Sequence, residues 1–196
     1  IYLKDEQLKL NVIKFDKKIN ELNLELNLKQ KNYEALINKL HMLLQEIKKH
    51  DCVIVSDYGH GLITKKIAKI LCEKSKFISL NAQSNASNIG YHSIQKYKNI
   101  DCVVMNENEL RHELRNKSDK TNLLAQQLSQ INNIKNLTIT KGLEGAILYN
   151  SKKNKFYACP AFASNVVDKV GAGDTMLSII SLLLNKKFES IVSLFL

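Results

Sequence analysis

This 196-residue sequence predicts an α/β fold, a largely parallel sheet with helices on both faces. Three observations carry the expectation. Short apolar runs without alternation recur at residues 52–55, 77–80, 102–105 and 137–139, as in strands buried on both faces. The stretches between them space their apolar residues helically, so strand and helix alternate. Each run also ends in polar or glycine residues: Asp57, Asn81, Asn106, and Thr140-Lys141-Gly142. Ligands of open α/β sheets bind outside the carboxyl ends of the strands, so these ends form a candidate rim.

The elements follow in order. Leu22, Leu24, Leu26 and Leu28 have period two and predict an extended piece within residues 1–28. From Asn32 the period changes. Leu36, Ile37, Leu40, Leu43, Leu44 and Ile47 predict a core-facing amphipathic helix over 32–49, too short for a sustained coiled coil. The run 52–55 ends in Ser56-Asp57, and helical spacing follows at 64–74. Helices at 107–115 and 120–131 lead into the run 137–139. Residues 146–149 and 155–158 flank a polar turn and read as a hairpin. An apolar helix over 176–184 completes the pattern.

Composition narrows the function classes. With 44% hydrophobic and 24% charged residues the chain can bury a core and is no disordered tail. One proline and seven glycines exclude collagen-like and low-complexity classes. The longest apolar run, 179–184 broken by Ser181, is far too short to span a bilayer. The opening residues lack the features of a signal peptide, and the absence of an initial Met leads to the expectation of a fragment.

The net charge of +10 raises nucleic-acid binding as a hypothesis. Apart from Arg111 and Arg115, however, the basic residues are lysines scattered along the whole chain. That pattern suits a compositional bias better than a basic patch. Phe77, Tyr91 and Tyr97 lie among lysines, yet packing explains them equally well. Cys52, Cys72, Cys102 and Cys159 form no close pair, which fits reduced, structural thiols in a cytoplasmic protein. His41, His50, His92 and His112 show no ligand spacing with carboxylates.

The strongest chemical signal is Gly171-Ala172-Gly173-Asp174 at the start of the apolar helix. A small, glycine-bearing turn there frees backbone N–H groups to face an anion, and the helix dipole adds partial positive charge. Asp174 falls in the first turn, where a carboxylate can take the proton of a hydroxyl attacking a phosphorus. Alternatively, the glycines only turn the chain and Asp174 only caps the helix.

Asp168-x-x-Gly171-Ala172-Gly173-Asp174 resembles the C-terminal signature of the ribokinase-like (PfkB) carbohydrate kinases. Asn106-x-x-Glu109 is similar to that family's Asn-x-x-Glu motif, and Thr140-Lys141-Gly142-x-x-Gly145 to its nucleotide loop. Ser56-Asp57-Tyr58-Gly59-His60-Gly61 resembles a segment of heptose-phosphate kinases, with His60 where they usually have lysine. Lys169 stands where many relatives have threonine. Asn81-Ala82-Gln83-Ser84-Asn85 and Asn88-Ile89-Gly90 look most like kinase domains fused to, or encoded with, nucleotidyltransferases of sugar-nucleotide pathways.

The resemblance covers roughly residues 51–196 and implies a three-layer, Rossmann-like but incomplete domain. Residues 1–30 are then a residual lid or connecting segment, and 31–196 the central and C-terminal part of the kinase domain. The implied reaction is ATP-dependent, magnesium-assisted phosphoryl transfer to a hydroxyl of a sugar or sugar phosphate. Asp174 is the implied general base, with Gly171, Ala172 and Gly173 as the anion hole. Asn106 and Glu109 position magnesium and phosphate, and Thr140, Gly142 and Gly145 border the nucleotide. Asp57, Asn81 and Asp168 are candidates on the substrate side. A fused or associated nucleotidyltransferase and a homodimer are the protein partners this reading allows, with neither membrane nor nucleic acid. The rival classes are a non-catalytic module that keeps the fold and binds a nucleotide or a partner, and a basic nucleic-acid binder.

Three structural expectations follow. Asp57, Asn81, Asn106, Thr140 and Asp174 should gather at one edge of a single sheet. Leu194, Phe195 and Leu196 should form an exposed apolar end. The isolated chain should be a poor kinase.

Overall fold

The computed structural model describes residues 2–83, 92–162 and 171–195, with side chains from residue 17 onward. The chain forms two compact units, Ile1–Glu46 and Ile47–Leu196. The first unit consists of helix α1 (Tyr2–Lys49), which runs on into the second unit. The extended piece expected at Leu22–Leu28 is therefore wrong, and position 30 lies inside an unbroken helix. No Gly or Pro interrupts α1, and Leu and Lys, both good helix formers, are its commonest residues. Leucines at every second position are also two i,i+4 pairs, Leu22 with Leu26 and Leu24 with Leu28, and helices accept such pairs readily.

In the second unit six strands lie side by side in chain order: β1 (Val53–Asp57), β2 (Ile78–Ala82), β3 (Ile100–Asn106), β4 (Ile134–Thr140), β5 (Ala146–Asn150) and β6 (Lys155–Cys159). The first four are parallel, and β5 and β6 run antiparallel as the expected hairpin. Tyr149 stacks on Phe156 across that hairpin at 4.6 Å.

Helices α2 (Lys65–Lys74), α3 (Glu107–Leu114), α4 (Thr121–Asn132) and α5 (Ala172–Asn185) fall where helical spacing predicts them. Thr64 caps α2 by accepting from Ile67 N at 3.4 Å. A 3-10 turn at Ile94–Lys96 precedes β3 and touches α2 and α4, while α3 and α4 pack against each other, α3 on β3 and β4 and α4 on β4 and β5. Helix α5 packs on β1, β2 and β3. It shares a core of Cys102, Val104, Leu148, Cys159, Leu177, Ile180 and Leu194 with α6 (Ser190–Phe195), a helix the sequence pattern did not reveal. Together these elements make the three layers.

The C-terminal expectation needs correction. Leu194 is only 5% exposed, because α6 folds onto β5 and β6 and inserts it into that core. Ser190 Oγ accepts from Asn150 Nδ2 at 2.9 Å and anchors the start of the helix. Phe195 is exposed as expected, its ring 6.3 Å from that of Phe162, and Leu196 lies outside the described residues.

Candidate active site

Strand register gathers the rim. Asp57 pairs with Ala82 and Asn106 with Thr140, so Asp57, Asn81, Asn106 and Thr140 occupy the same, carboxyl edge of the sheet. Asp174 joins them from above, because Ser56 Oγ and Gln83 Nε2 both donate to its Oδ1 at 3.4 Å.

Gly171 begins α5 with φ of 81°, a left-handed conformation that costs an L side chain steric strain. The space beside its Cα is open, so the requirement is conformational. Among the described residues no side chain caps this helix start. The N–H groups of Ala172, Gly173 and Asp174 fall in its first turn, where no carbonyl of the helix accepts from them. Asn81 lies below this turn, 4% exposed, its Nδ2 3.7 Å from where a Cβ on Gly173 would sit. Its Oδ1 is buried without a partner among the described residues, an acceptor open to a donor such as a hydroxyl or a water. A cavity of about 470 Å³ adjoins the turn, lined by Gly171, Ala172, Thr175 and Met176 and, from α6, Ser193 and Leu194.

Ser56 and Asp57 diverge because successive strand residues point to opposite faces. Ser56 meets Asp174 on the α5 face. Asp57 points to the other face, where it is 4% exposed and its Oδ2 accepts from Lys96 Nζ and Tyr97 Oη, each at 2.6 Å. Its Oδ1 accepts from Gly59 N at 3.0 Å, and its carbonyl lies 3.0 Å from His92 Nε2. Burial pushes the Asp57 carboxyl up, but the bonds from Lys96, Tyr97 and Gly59 outweigh it and hold the group below its ordinary value. Asp57 thus braces the rim from beneath, and the side chains at Asp174 are Ser56 and Gln83. Strand parity was the signal available for Ser56; Gln83 stands only inside the segment 81–85, with no role attached to it.

Asn106 and Glu109 form a reciprocal capping box at the start of α3. Asn106 Oδ1 accepts from Glu109 N and Glu109 Oε2 accepts from Asn106 N, both at 2.8 Å. The spacing read for metal and phosphate is therefore also the spacing of a helix cap. Thr140 ends β4, and Gly142, with φ of 61°, opens a 3-10 turn with free space beside it. Gly145 differs: a Cβ there would sit 2.0 Å from Cys159 O and 2.7 Å from Ala161 N, so crossing backbone demands glycine. Lys141, beside Glu144, has its ammonium held above its ordinary value by that bond. Asp168 lies outside the described residues.

Among the described residues no three His, Cys, Asp or Glu side chains gather as a metal cage. Magnesium usually binds through one or two carboxylates and the substrate's phosphates, so it would come to this rim beside Asp174 as a companion of the nucleotide, whose phosphates the open amides would face. All four cysteines are free, and burial pushes the Cys102 thiol up to about 12, which leaves it an inert core group. No helix among the described residues is long and apolar enough to cross a membrane.

Comparison with known proteins shows the family and the fold. The model of the pfkB family of carbohydrate kinases matches residues 63–193. The bifunctional protein HldE of Desulfatibacillum aliphaticivorans is 28% identical over 141 residues, covering 70% of this chain and 28% of that protein. HldE of Campylobacter curvus is 25% identical over 181 residues, 90% of this chain and 35% of its own length. Phosphofructokinase-2 from Escherichia coli, solved with substrates and products, superposes with a TM-score of 0.64 at 15% identity, over 80% of this chain and 52% of its own. Arabidopsis thaliana ribokinase, complexed with ribose and ATP, gives 0.60 at 18%, over 77% of this chain and 48% of its own. These structures share the ribokinase-like fold, and the chain spans about half the length of each.

Proposed function

Because this chain belongs to the pfkB family of carbohydrate kinases, we propose that it supplies the phosphoryl-transfer part of an ATP-dependent kinase acting on a sugar or sugar phosphate. The observation that carries the reading is the pairing of Asp174 with a start of α5 that no side chain among the described residues caps. The amides of the Gly171-Ala172-Gly173 turn receive the charge that builds on the transferring phosphoryl group, a preorganised electrostatic contribution. Asp174 takes the proton of the acceptor hydroxyl. Asn81 borders the same turn, and the open side of Gly142 leaves room for a nucleotide phosphate beyond Thr140. Magnesium, held at this rim with the nucleotide, supplies charge neutralisation of the phosphates. Asn106 and Glu109 serve it by fixing the turn from β3 into α3. The length of the relatives supports reading this chain as part of a larger kinase, with a nucleotidyltransferase as a fused or associated partner.

Asp174→Asn tests the reading in the complete gene product, with ribose, fructose 6-phosphate and a heptose phosphate as acceptors. Turnover should fall by about 10²–10⁴, the usual worth of a general base. ATP affinity should change little, since the amides remain. An Asn caps a helix about as well as an Asp, so a variant that keeps most of its turnover would leave Asp174 as a cap and end the catalytic claim. ATP binding with no transfer to any acceptor would favour a non-catalytic nucleotide-binding module.

A further inference from the structure

Two donors converge on one oxygen of Asp174. Ser56 Oγ and Gln83 Nε2 reach Oδ1 from neighbouring strand ends, each at 3.4 Å. Among the described residues no side chain donates to Oδ2 in the same way, so the two carboxylate oxygens are inequivalent. The donors are themselves braced. Gln83 N donates to Asp57 O at 3.0 Å, which ties the residue after β2 to the last residue of β1. Asp57 is clamped beneath the sheet by Lys96 and Tyr97, and Lys96 Nζ also donates to Ile63 O at 2.8 Å. Ser56 and Gln83 therefore project from backbone that the buried carboxylate holds in place.

We infer that Ser56 and Gln83 are positioning residues for Asp174, anchoring Oδ1 and presenting Oδ2 to the acceptor hydroxyl. The inference rests on Asp174 being the general base. An aspartate in the first turn of a helix has a competing option, since the open amides of that turn attract its carboxylate. Donors on the sheet side pull it the other way, toward the rim. Bonds of 3.4 Å are long, as catalytic hydrogen bonds often are before substrate arrives. Misplacing a reacting group by an ångström costs up to about 100-fold in rate. Each donor, acting alone, should then be worth about tenfold in turnover.

The test measures kcat and the KM for ATP in Ser56→Ala and Gln83→Met, each made in the wild-type and in the Asp174→Asn background. The same three acceptors serve. Both variants should lose about tenfold in kcat with KM for ATP within about twofold of wild type. Ser56→Thr, which keeps the hydroxyl, should recover the loss. In the Asp174→Asn background neither substitution should cost anything further, because the group they position is gone. Full turnover in Ser56→Ala and Gln83→Met, beside a crippled Asp174→Asn, would overturn the inference while leaving the general base intact. An unimpaired Asp174→Asn would instead remove the reading beneath it. A crystal structure of the Ser56→Ala, Gln83→Met protein gives an answer independent of any acceptor. The Asp174 carboxylate should swing toward the α5 amides, and an unmoved carboxylate would refute the pair.

Discussion

Replacing Lys96 by Met should remove the cation from a carboxylate that the fold has buried. Lys96 Nζ lies 2.6 Å from Asp57 Oδ2, with the two side chains 15% and 4% exposed. At an effective dielectric constant of about 20 that separation corresponds to roughly 6 kcal/mol of attraction. Desolvation of the pair offsets part of it, and Tyr97 and Gly59 N continue to donate to Asp57 in the variant. Losing one partner of a buried pair costs about 3–5 kcal/mol; with those two donors left, we expect about 3 kcal/mol.

Urea unfolding measures the loss, and its pH dependence supplies a second sign. In the wild type the folded Asp57 carboxyl lies below its ordinary value of 3.8. Its contribution is therefore complete above that value and lost as pH falls through the folded pKa. Without Lys96 the balance tips toward burial, which raises the carboxyl. The variant should then gain stability as pH drops from about 7 to about 5, where the wild type gains nothing from this group. Lys96→Met/Asp57→Asn should recover much of the loss. A Lys96→Met protein less than about 1 kcal/mol weaker, with the wild-type pH dependence, would refute the buried clamp.

Two further outcomes test the rim. Gly145→Ala should cost about 3 kcal/mol or more by thermal unfolding, because its Cβ would meet Cys159 O at 2.0 Å. Gly142→Ala, with open space beside it, should cost only the left-handed backbone strain of about 1–2 kcal/mol; equal losses would contradict the crossing-backbone explanation. Asn106→Ala should lose about 1 kcal/mol of stability through the missing cap. Glu109→Gln keeps an acceptor for Asn106 N and should melt like the wild type; a fall in its turnover would assign Glu109 work beyond capping.

Much of this architecture was legible because buried strands leave an unmistakable trace. Runs such as Val103-Val104-Met105 have no polar residue to confuse their reading. Ser79 and Thr138 interrupt two others without breaking the pattern, and the ends of the runs name the rim. What stayed hidden was direction. Ser56 and Asp57 are adjacent in the chain and both polar, yet the pleat sends one to Asp174 and the other into a buried clamp with Lys96. Only the identity of each face's covering helix decides which is which, and that is long-range information. The leucines of α1 misled for a different reason. Leu22, Leu24, Leu26 and Leu28 are exposed, so no buried face imposes a period on them, and local helix propensity decides. The short α6 carries too few residues for periodicity, and Leu194 reveals its burial only once β5 and β6 are in place. Asn106 and Glu109 show how one spacing can serve two ends, since the geometry that closes a cap is also that of a family motif.

The order of the strands has a consequence for how the chain emerges from the ribosome. Each strand's neighbour in space is its neighbour in sequence, so the sheet can be laid down one strand at a time as synthesis proceeds. The α5 face cannot be finished that way. Until α5 and α6 appear, Cys102, Val104 and Leu148 lack their cover, and the nascent sheet presents an oily surface to chaperones and to other chains. Then α5 crosses back over strands already formed, and Asp174 finds Ser56, 118 positions upstream. A strand and a helix separated in the chain by the other strands of the sheet meet in that bond, so the carboxylate joins its donors only after the intervening strands have been made.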